Sequence, residues 1–144
     1  QSNLAGYRAA FAVGEASLVK SLVNLRMHSG LNTPAPTQRV MAVALADYDH
    51  VAEAKAKYRA RREALKAAVE GYGFEIGDSE GGLYIWATLG EDCWATVERM
   101  AKLGILVAPG SFYGEASTQY VRFALTATDE RINEAAKRLQ TARL

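Results

Sequence analysis

The chain has 144 residues, of which 49% are hydrophobic and 23% are charged, a composition that is ordinary for a globular protein. Seventeen basic and sixteen acidic residues give a formal net charge of +1, so the chain lacks the basic excess of a nucleic-acid-binding protein. A single cysteine, Cys93, excludes an internal disulfide and suits a reducing cytoplasm, and no apolar run approaches the roughly 18 residues of a membrane span.

The N-terminal third is predicted to contain one short strand and two helices. Tyr7–Val13 is predicted to be a strand that Gly14 ends. Apolar residues at near-helical spacing predict a helix over Ala16–His28. Two prolines then predict a loop, and Pro36 suits the first turn of a further helix that reaches Leu45.

The strongest pattern in the chain predicts a long helix from Asp49 to about Glu70, ended by Gly71 and Gly73. One face of this helix is apolar and the other is basic. The basic side chains are expected to face solvent, and they include Lys55, Arg59, Arg62 and Lys66.

From Phe74 onward the pattern changes to strands separated by helices, which predicts an α+β unit. Tyr84 and Trp86 are expected to pack within a strand that is buried on both faces. Thr126 and Asp129 are expected to form a capping box for the last helix. The predicted elements are a strand over Leu83–Ala87, a helix over Asp92–Leu103, strands over Ile105–Ala108 and Tyr120–Leu125, and a helix that follows Thr126 or Thr128.

The segment Gln1–Ala10 (QSNLAGYRAA) places a small residue, an aliphatic residue and a glycine ahead of an arginine and two alanines. It resembles the segment that follows the cofactor lysine in class I and II aminotransferases, which are pyridoxal 5'-phosphate (PLP) enzymes of fold type I. The lysine is then expected just before Gln1, and no catalytic residue is expected in this chain. A chain that begins inside this motif is expected to be part of a longer polypeptide and to be inactive alone.

Three further segments resemble successive blocks of the same family in the right order, so the resemblance covers the whole chain. They are Gly81–Trp86, Ala108–Gly114 and Tyr120–Ala124. The implied fold class is α/β, the C-terminal portion of a fold type I PLP-dependent transferase. The implied domains are a remnant of the large PLP-binding domain over residues 1–47, a bridging helix over 48–72 and a small α+β C-terminal domain over 73–144.

Two arginines are the main candidates for ligand binding, because a guanidinium is a planar fork of donors that matches phosphate and carboxylate oxygens. The resemblance implies that Arg8 binds the cofactor phosphate, near Gly6, where the backbone is expected to turn tightly. It implies that Arg122 binds the α-carboxylate of the amino-acid substrate through a two-pronged ion pair. The alternatives are an Arg8 head group in solvent and an Arg122 that points outward from an edge strand.

Phe112 and Tyr113 follow a Pro-Gly turn in a segment that, by the resemblance, folds back toward the substrate entrance. Either ring is a candidate for the pocket lining, and a place in the core is an equal alternative. No metal site is expected, because His28 and His50 are far apart and lack an adjacent cysteine or acidic pattern.

The resemblance implies a PLP-dependent aminotransferase that uses amino acids and 2-oxo acids and forms a homodimer. The composition predicts a cytoplasmic protein that binds neither nucleic acid nor membranes. Within the family, the combination of Ser79–Thr88, Gly90–Trp94 and Leu125–Ile132 is most similar to actinobacterial N-succinyldiaminopimelate aminotransferases of lysine biosynthesis, which use glutamate as amino donor. Aminotransferases of the aspartate, aromatic or LL-diaminopimelate type are close alternatives. A different class also stays open, that of a non-catalytic α+β interaction domain that binds a partner or a small carboxylate through Arg122.

Overall fold

The computed structural model describes residues 4–142, so that Asn3 of the N-terminal motif lies outside the described residues. The chain divides into two compact units, residues 1–55 and 56–144, and the dividing point falls within a long helix. The domain boundaries predicted at residues 47 and 72 stay predictions. In the described part of the chain, no helix combines the length and the apolar character that crossing a membrane requires.

The first unit contains a 3-10 helix, Ala5–Tyr7, and two α-helices, α1 (Ala16–His28) and α2 (Ala35–Ala46). Both α-helices were predicted, and Pro36 lies in the first turn of α2, where a missing N–H leaves no helical hydrogen bond unmade. No residue of either helix is buried. The two helices therefore enclose no hydrophobic core.

The strand predicted over Tyr7–Val13 is wrong. Between residue 4 and α1 the only regular element is the 3-10 helix, and residues 8–15 have no regular structure. A strand requires hydrogen bonds from a neighbouring strand, and among the described residues no strand pairs with this segment. Apolar residues alone therefore do not make it a strand.

The predicted long helix is α3, which runs over Asp49–Tyr72 and continues through Gly71. Gly73 ends the helix with a φ of 121°, a conformation that favours glycine. The N–H of Phe74 donates to the carbonyl of Val69 at 3.2 Å, which satisfies one of the carbonyls at the helix end. The C-terminal half of α3 supplies buried side chains to the core of the second unit.

The second unit is built on a four-stranded antiparallel sheet with the strand order β1-β2-β4-β3. Its strands are Glu75–Ile76 (β1), Tyr84–Thr88 (β2), Ala108–Pro109 (β3) and Tyr120–Ala124 (β4). The strand predicted over Ile105–Ala108 is wrong in its extent. The N–H of Ile105 donates to the carbonyl of Met100 at 2.9 Å, so it caps the preceding helix instead of pairing with a strand.

One helix lies between β2 and β3 and a second follows β4, and both agree closely with the sequence prediction. The first, α4, spans Cys93–Lys102, and the carboxylate of Asp92 caps it by accepting a hydrogen bond from the N–H of Trp94 at 2.9 Å. Gly104 follows its end with a φ of 69°. The second, α5, spans Asp129–Thr141.

The capping box predicted between Thr126 and Asp129 is wrong. Thr128 is the residue that precedes α5, so Thr126 lies too far from the first turn of this helix. The Asp129 carboxylate instead accepts a hydrogen bond from Nε of Arg61 on α3, at 2.5 Å. The start of α5 is therefore fixed by a tertiary contact and not by its own cap.

The two faces of the sheet have different environments. One face packs with α3, α4 and α5 into a single hydrophobic core, and its buried side chains include Ile85, Ala87, Val121 and Phe123. The opposite face carries side chains that stay partly or largely exposed, namely Tyr84, Trp86, Tyr120 and Arg122. The expectation of a strand buried on both faces at Tyr84 and Trp86 is therefore wrong, because β2 alternates between the core and this open face.

Candidate functional site

Arg122 lies in the middle of the open face of the sheet. On its two sides, Trp86 of β2 and Ala108 of β3 are its direct cross-strand partners. Because β4 lies between β2 and β3, Arg122 is on an interior strand, and the edge-strand alternative is wrong. Two neighbouring strands therefore hold the backbone of Arg122 in place.

Two aromatic rings, those of Tyr84 and Tyr113, lie against the Arg122 guanidinium. Trp86 and Tyr120 lie on the same face of the sheet, and we call these four aromatic residues and Arg122 the Arg122 cluster. The guanidinium carbon lies 4.1 Å from the ring centre of Tyr84 and 5.3 Å from that of Tyr113. Trp86 stacks on Tyr120 at 5.6 Å and meets Tyr113 edge-on at 5.4 Å. Cation–π attraction to two ring faces therefore restrains the guanidinium.

The guanidinium of Arg122 has an unused donor. Its Nε atom is buried and has no hydrogen-bond acceptor among residues 4–142, and no carboxylate in that range forms an ion pair with it. A buried donor without an acceptor costs roughly 1–3 kcal/mol, and more when it is charged. A small anion, above all a planar carboxylate, would satisfy this donor and the charge together.

The loop that carries Tyr113 is held close to β4. It contains two 3-10 helices, Gly110–Tyr113 and Glu115–Ser117. A Cβ at Gly110 would lie 2.6 Å from the carbonyl oxygen of Tyr120, and it would overlap the carbonyl oxygen of Ser117 more severely. Only glycine allows this close approach, which brings Tyr113 to Arg122.

The two aromatic residues predicted as candidates for the pocket lining have different neighbours. Tyr113 belongs to the Arg122 cluster, whereas Phe112 meets Trp94 of α4 edge-on at 5.8 Å. Their exposed fractions are 50% for Tyr113 and 69% for Phe112. Neither ring therefore lies in the core, which was the alternative.

Arg62 was predicted to face solvent, and this prediction is wrong. Its side chain is buried, with an exposed fraction of 8%, and burial lowers the pKa of its guanidinium. It donates hydrogen bonds to the Ser79 hydroxyl and to the carbonyls of Gly82 and Tyr84. Its spacing was the available signal, because positions 58, 62, 65 and 69 follow one apolar helix face.

Arg8 belongs to the first unit, at the end of the 3-10 helix Ala5–Tyr7. Its φ of 51° makes it the one non-glycine residue with a positive φ among residues 4–142. Gly6, where the backbone was expected to turn tightly, lies inside the 3-10 helix, and the left-handed conformation is at Arg8. The side chain is exposed, and no described carboxylate forms an ion pair with it.

The Glu91 carboxylate, which precedes α4, is bonded to two side chains of that helix. The Glu91 carboxylate accepts hydrogen bonds from Nε and Nη2 of Arg99, at 3.2 Å and 3.0 Å, and from the Thr96 hydroxyl at 3.0 Å. These bonds, chiefly those from Arg99, lower the pKa of Glu91. In the part of the chain that the structure describes, no three His, Cys, Asp or Glu side chains lie together as a metal site would require.

Comparison with known proteins gives one family. Residues 1–139 match the family model described as aminotransferase class I and II. The chain is 55% identical, over 96% of its length, to the 4-dedimethylamino-4-oxo-anhydrotetracycline transaminase of Streptomyces rimosus, and it spans 39% of that relative. It is 36% identical, over 95% of its length, to the LL-diaminopimelate aminotransferase of Oleidesulfovibrio alaskensis, and it spans 36% of that protein.

Among solved structures, the N-succinyldiaminopimelate aminotransferase of Mycobacterium tuberculosis superposes with a TM-score of 0.78 and 28% sequence identity. The superposition covers 96% of this chain and 38% of that structure. The chain thus spans well under half the length of the proteins it matches.

Proposed function

Because the chain belongs to the class I and II aminotransferases, we propose that it carries the substrate-carboxylate site of a PLP-dependent aminotransferase, with Arg122 as the carboxylate ligand. The fold supports the proposal, since the chain has the fold of the C-terminal portion of fold type I aminotransferases, as the sequence predicted. The single observation that carries it is the Nε atom of Arg122, buried and without an acceptor among residues 4–142.

In the proposed reaction, Arg122 binds the group that both substrates share. An amino acid and a 2-oxo acid each carry a carboxylate next to the reacting carbon, so one guanidinium positions the amino donor and the amino acceptor in turn. The rings of Tyr84 and Tyr113 lie against this guanidinium and reduce its contact with water. A water-poor surrounding strengthens the ion pair.

Arg8 is proposed as a ligand of the cofactor phosphate. Its exposed guanidinium, which no described carboxylate neutralises, is chemically suited to a phosphate group. When bound, PLP supplies the carbonyl group and the electron sink that amino-group transfer requires.

Every lysine of the sequence lies in one of the α-helices, and we propose that none of them is the cofactor lysine. Residues 1–144 alone are then expected to be inactive.

The substrate beyond its carboxylate is a separate proposal. We propose glutamate as amino donor and N-succinyl-2-amino-6-oxopimelate, the oxo partner of N-succinyldiaminopimelate, as acceptor. Support comes from the sequence blocks that resemble such enzymes and from the structural likeness to the Mycobacterium tuberculosis protein. The 55% identity to the Streptomyces rimosus transaminase favours a second candidate, a polycyclic ketone as acceptor.

The test of the carboxylate site uses the full-length protein loaded with PLP. Arg122→Ala is expected to raise KM for glutamate and for 2-oxoglutarate about 100-fold each, because the two-pronged ion pair is lost. Arg131→Ala, an exposed arginine on α5, is the matched control and should leave both values unchanged. Unaltered kinetics in the Arg122 variant would remove this residue from the site.

The substrate proposal is tested by profiling acceptors with the same protein. Glutamate is held as donor, and the N-succinylated acceptor is compared with LL-diaminopimelate-type, aromatic and polycyclic ketone acceptors. We expect the highest kcat/KM for the N-succinylated acceptor. A preference of more than about tenfold for another acceptor, equivalent to about 1.4 kcal/mol, rejects the proposed substrate but not the carboxylate site.

A further inference from the structure

We propose that Arg62 is a positioning residue that sets the orientation of Arg122 by fixing the backbone from which the Tyr84 side chain extends. The proposal deepens the proposed function, because it concerns the same carboxylate site. It assigns a role to a buried charge that lies on α3, outside the Arg122 cluster.

The Arg62 guanidinium is bonded only to neutral acceptors. Nη1 donates to the hydroxyl of Ser79 at 2.5 Å and to the carbonyl of Tyr84 at 3.2 Å, and Nη2 donates to the carbonyl of Gly82. No carboxylate among residues 4–142 pairs with it. A buried charge without a counter-ion is unfavourable, so an apolar side chain would serve better if packing were its whole purpose.

The three acceptors of Arg62 lie in the segment that leads into β2. Gly82 has a φ of 79°, and the connection from β1 to β2 contains no strand pairing before Tyr84. The N–H of Leu125 donates to the carbonyl of Leu83 at 2.9 Å, so the sheet holds this segment only from Leu83 onward. Ahead of Leu83, the Arg62 side chain binds the segment from α3 through Ser79 and Gly82. One planar donor group fixes the course of the backbone over Ser79 to Tyr84.

Tyr84 joins this backbone anchor to the carboxylate site. Its carbonyl accepts a hydrogen bond from Arg62, and its ring centre lies 4.1 Å from the guanidinium carbon of Arg122. Tyr84 is the first residue of β2, where one end of the strand depends on the preceding loop. A shift of this backbone would therefore move the ring against which the Arg122 guanidinium rests.

The decisive measurement is a double-mutant cycle in the full-length PLP-loaded protein, with Arg62→Met, Tyr84→Leu and the pair. The readout is the inhibition constant of propionate, a carboxylate that carries no amino group. Each single change is expected to weaken inhibition about fivefold, the size of one cation–π contact. In the Tyr84→Leu background, Arg62→Met should add less than about twofold, because Arg62 acts through Tyr84. The proposal would be overturned if the fold-changes of the two single variants multiply in the double variant. It would also be overturned if the inhibition constant of propionate is unchanged in Arg62→Met.

Two further variants guard against misfolding. Ser79→Ala removes one acceptor of Arg62. Arg62→Lys keeps the charge but lacks the planar guanidinium whose two nitrogen atoms bind the three acceptors. Both are expected to raise KM for glutamate about twofold to fivefold while kcat stays within twofold, because carboxylate positioning is weakened more than the chemistry. A fall in kcat without a change in KM would also overturn the proposal. Arg122→Ala separates the two hypotheses, because propionate inhibition that survives in that variant refutes the proposed function itself.

Discussion

Trp86 and Arg122 lie directly opposite each other on β2 and β4, and the indole contacts the rings of Tyr113 and Tyr120 in the Arg122 cluster. Side chains directly opposite across an antiparallel pair are close enough to interact. Trp86 therefore supports the Arg122 cluster, because the rings of Tyr113 and Tyr120 both pack against its indole. The aromatic contacts of this open face are a source of testable expectations.

Tyr113 is expected to contribute its ring, and not its hydroxyl, to carboxylate binding. Tyr113→Ala should raise KM for glutamate about threefold to tenfold in the full-length protein, because one ring face near the guanidinium is lost. Tyr113→Phe keeps that face and should stay within twofold of the unchanged protein. Steady-state kinetics checks both values, and equal losses in the two variants would contradict a role for the ring.

Gly110 is expected to tolerate no side chain. Gly110→Ala forces a methyl group against the carbonyl oxygens of Ser117 and Tyr120, and overpacking of this kind costs about 1–3 kcal/mol. Urea denaturation should therefore give a lower free energy of unfolding. Gly77→Ala, where a Cβ meets no atom within 4 Å, is the control. Equal stability of the two variants would mean that the loop relaxes without cost.

The Glu91–Arg99 pair is expected to make stability depend on acid pH. The folded state lowers the pKa of Glu91, so the unfolded chain takes up a proton at this residue at a higher pH than the folded protein does. The stabilisation is therefore complete above the ordinary glutamate range, near pH 4, and is lost as the pH falls further. Glu91→Gln should lower stability at neutral pH and flatten its decline below about pH 4. Glu98→Gln, which removes an exposed carboxylate on α4, is the control and should leave the free energy of unfolding at neutral pH unchanged.

Arg61 is expected to fasten α5 to α3. Besides its ion pair with Asp129, it donates to the carbonyl of Leu125 at 3.2 Å, and its side chain is largely buried while that of Asp129 is exposed. Arg61→Met should lower the free energy of unfolding by about 1–2 kcal/mol, chiefly through the unpaired carbonyl. Asp129→Asn should cost under about 1 kcal/mol, since exposed ion pairs are weak. Denaturant titration of both variants checks that Arg61→Met lowers the free energy of unfolding more than Asp129→Asn does.

Local signals explain which elements could be predicted. The helices over Ala16–His28 and Asp49–Tyr72 were predicted well because apolar periodicity and glycine or proline at their ends are written in neighbouring residues. The strand over Tyr7–Val13 was wrong because strand formation depends on a partner that is distant in sequence. For the same reason, the prediction over Ile105–Ala108 was wrong in its extent, and β3 covers only Ala108–Pro109.

The candidate site could be predicted only in part. Arg122 stood out as a charge among apolar residues. Its pairing with Trp86 and the contact of the Tyr84 ring with its guanidinium depend on a strand register that local patterns do not contain. Arg62 was misassigned because its acceptors include backbone carbonyls, which every residue has and which therefore leave no trace in composition. Its position on the apolar helix face was the remaining signal.

Along β4, side chains point alternately to the open face and to the core, so mutations in this strand fall into two kinds. Val121 and Phe123 lie in the core, while Arg122 between them lies on the open face. Under the proposed function, substitutions at even positions of this strand would change ligand binding, whereas those at odd positions would change the stability of the fold. The open face can accordingly be altered one residue at a time while the neighbouring core residues stay unchanged. The stability that these core residues provide offsets the destabilisation that changes of activity commonly cause.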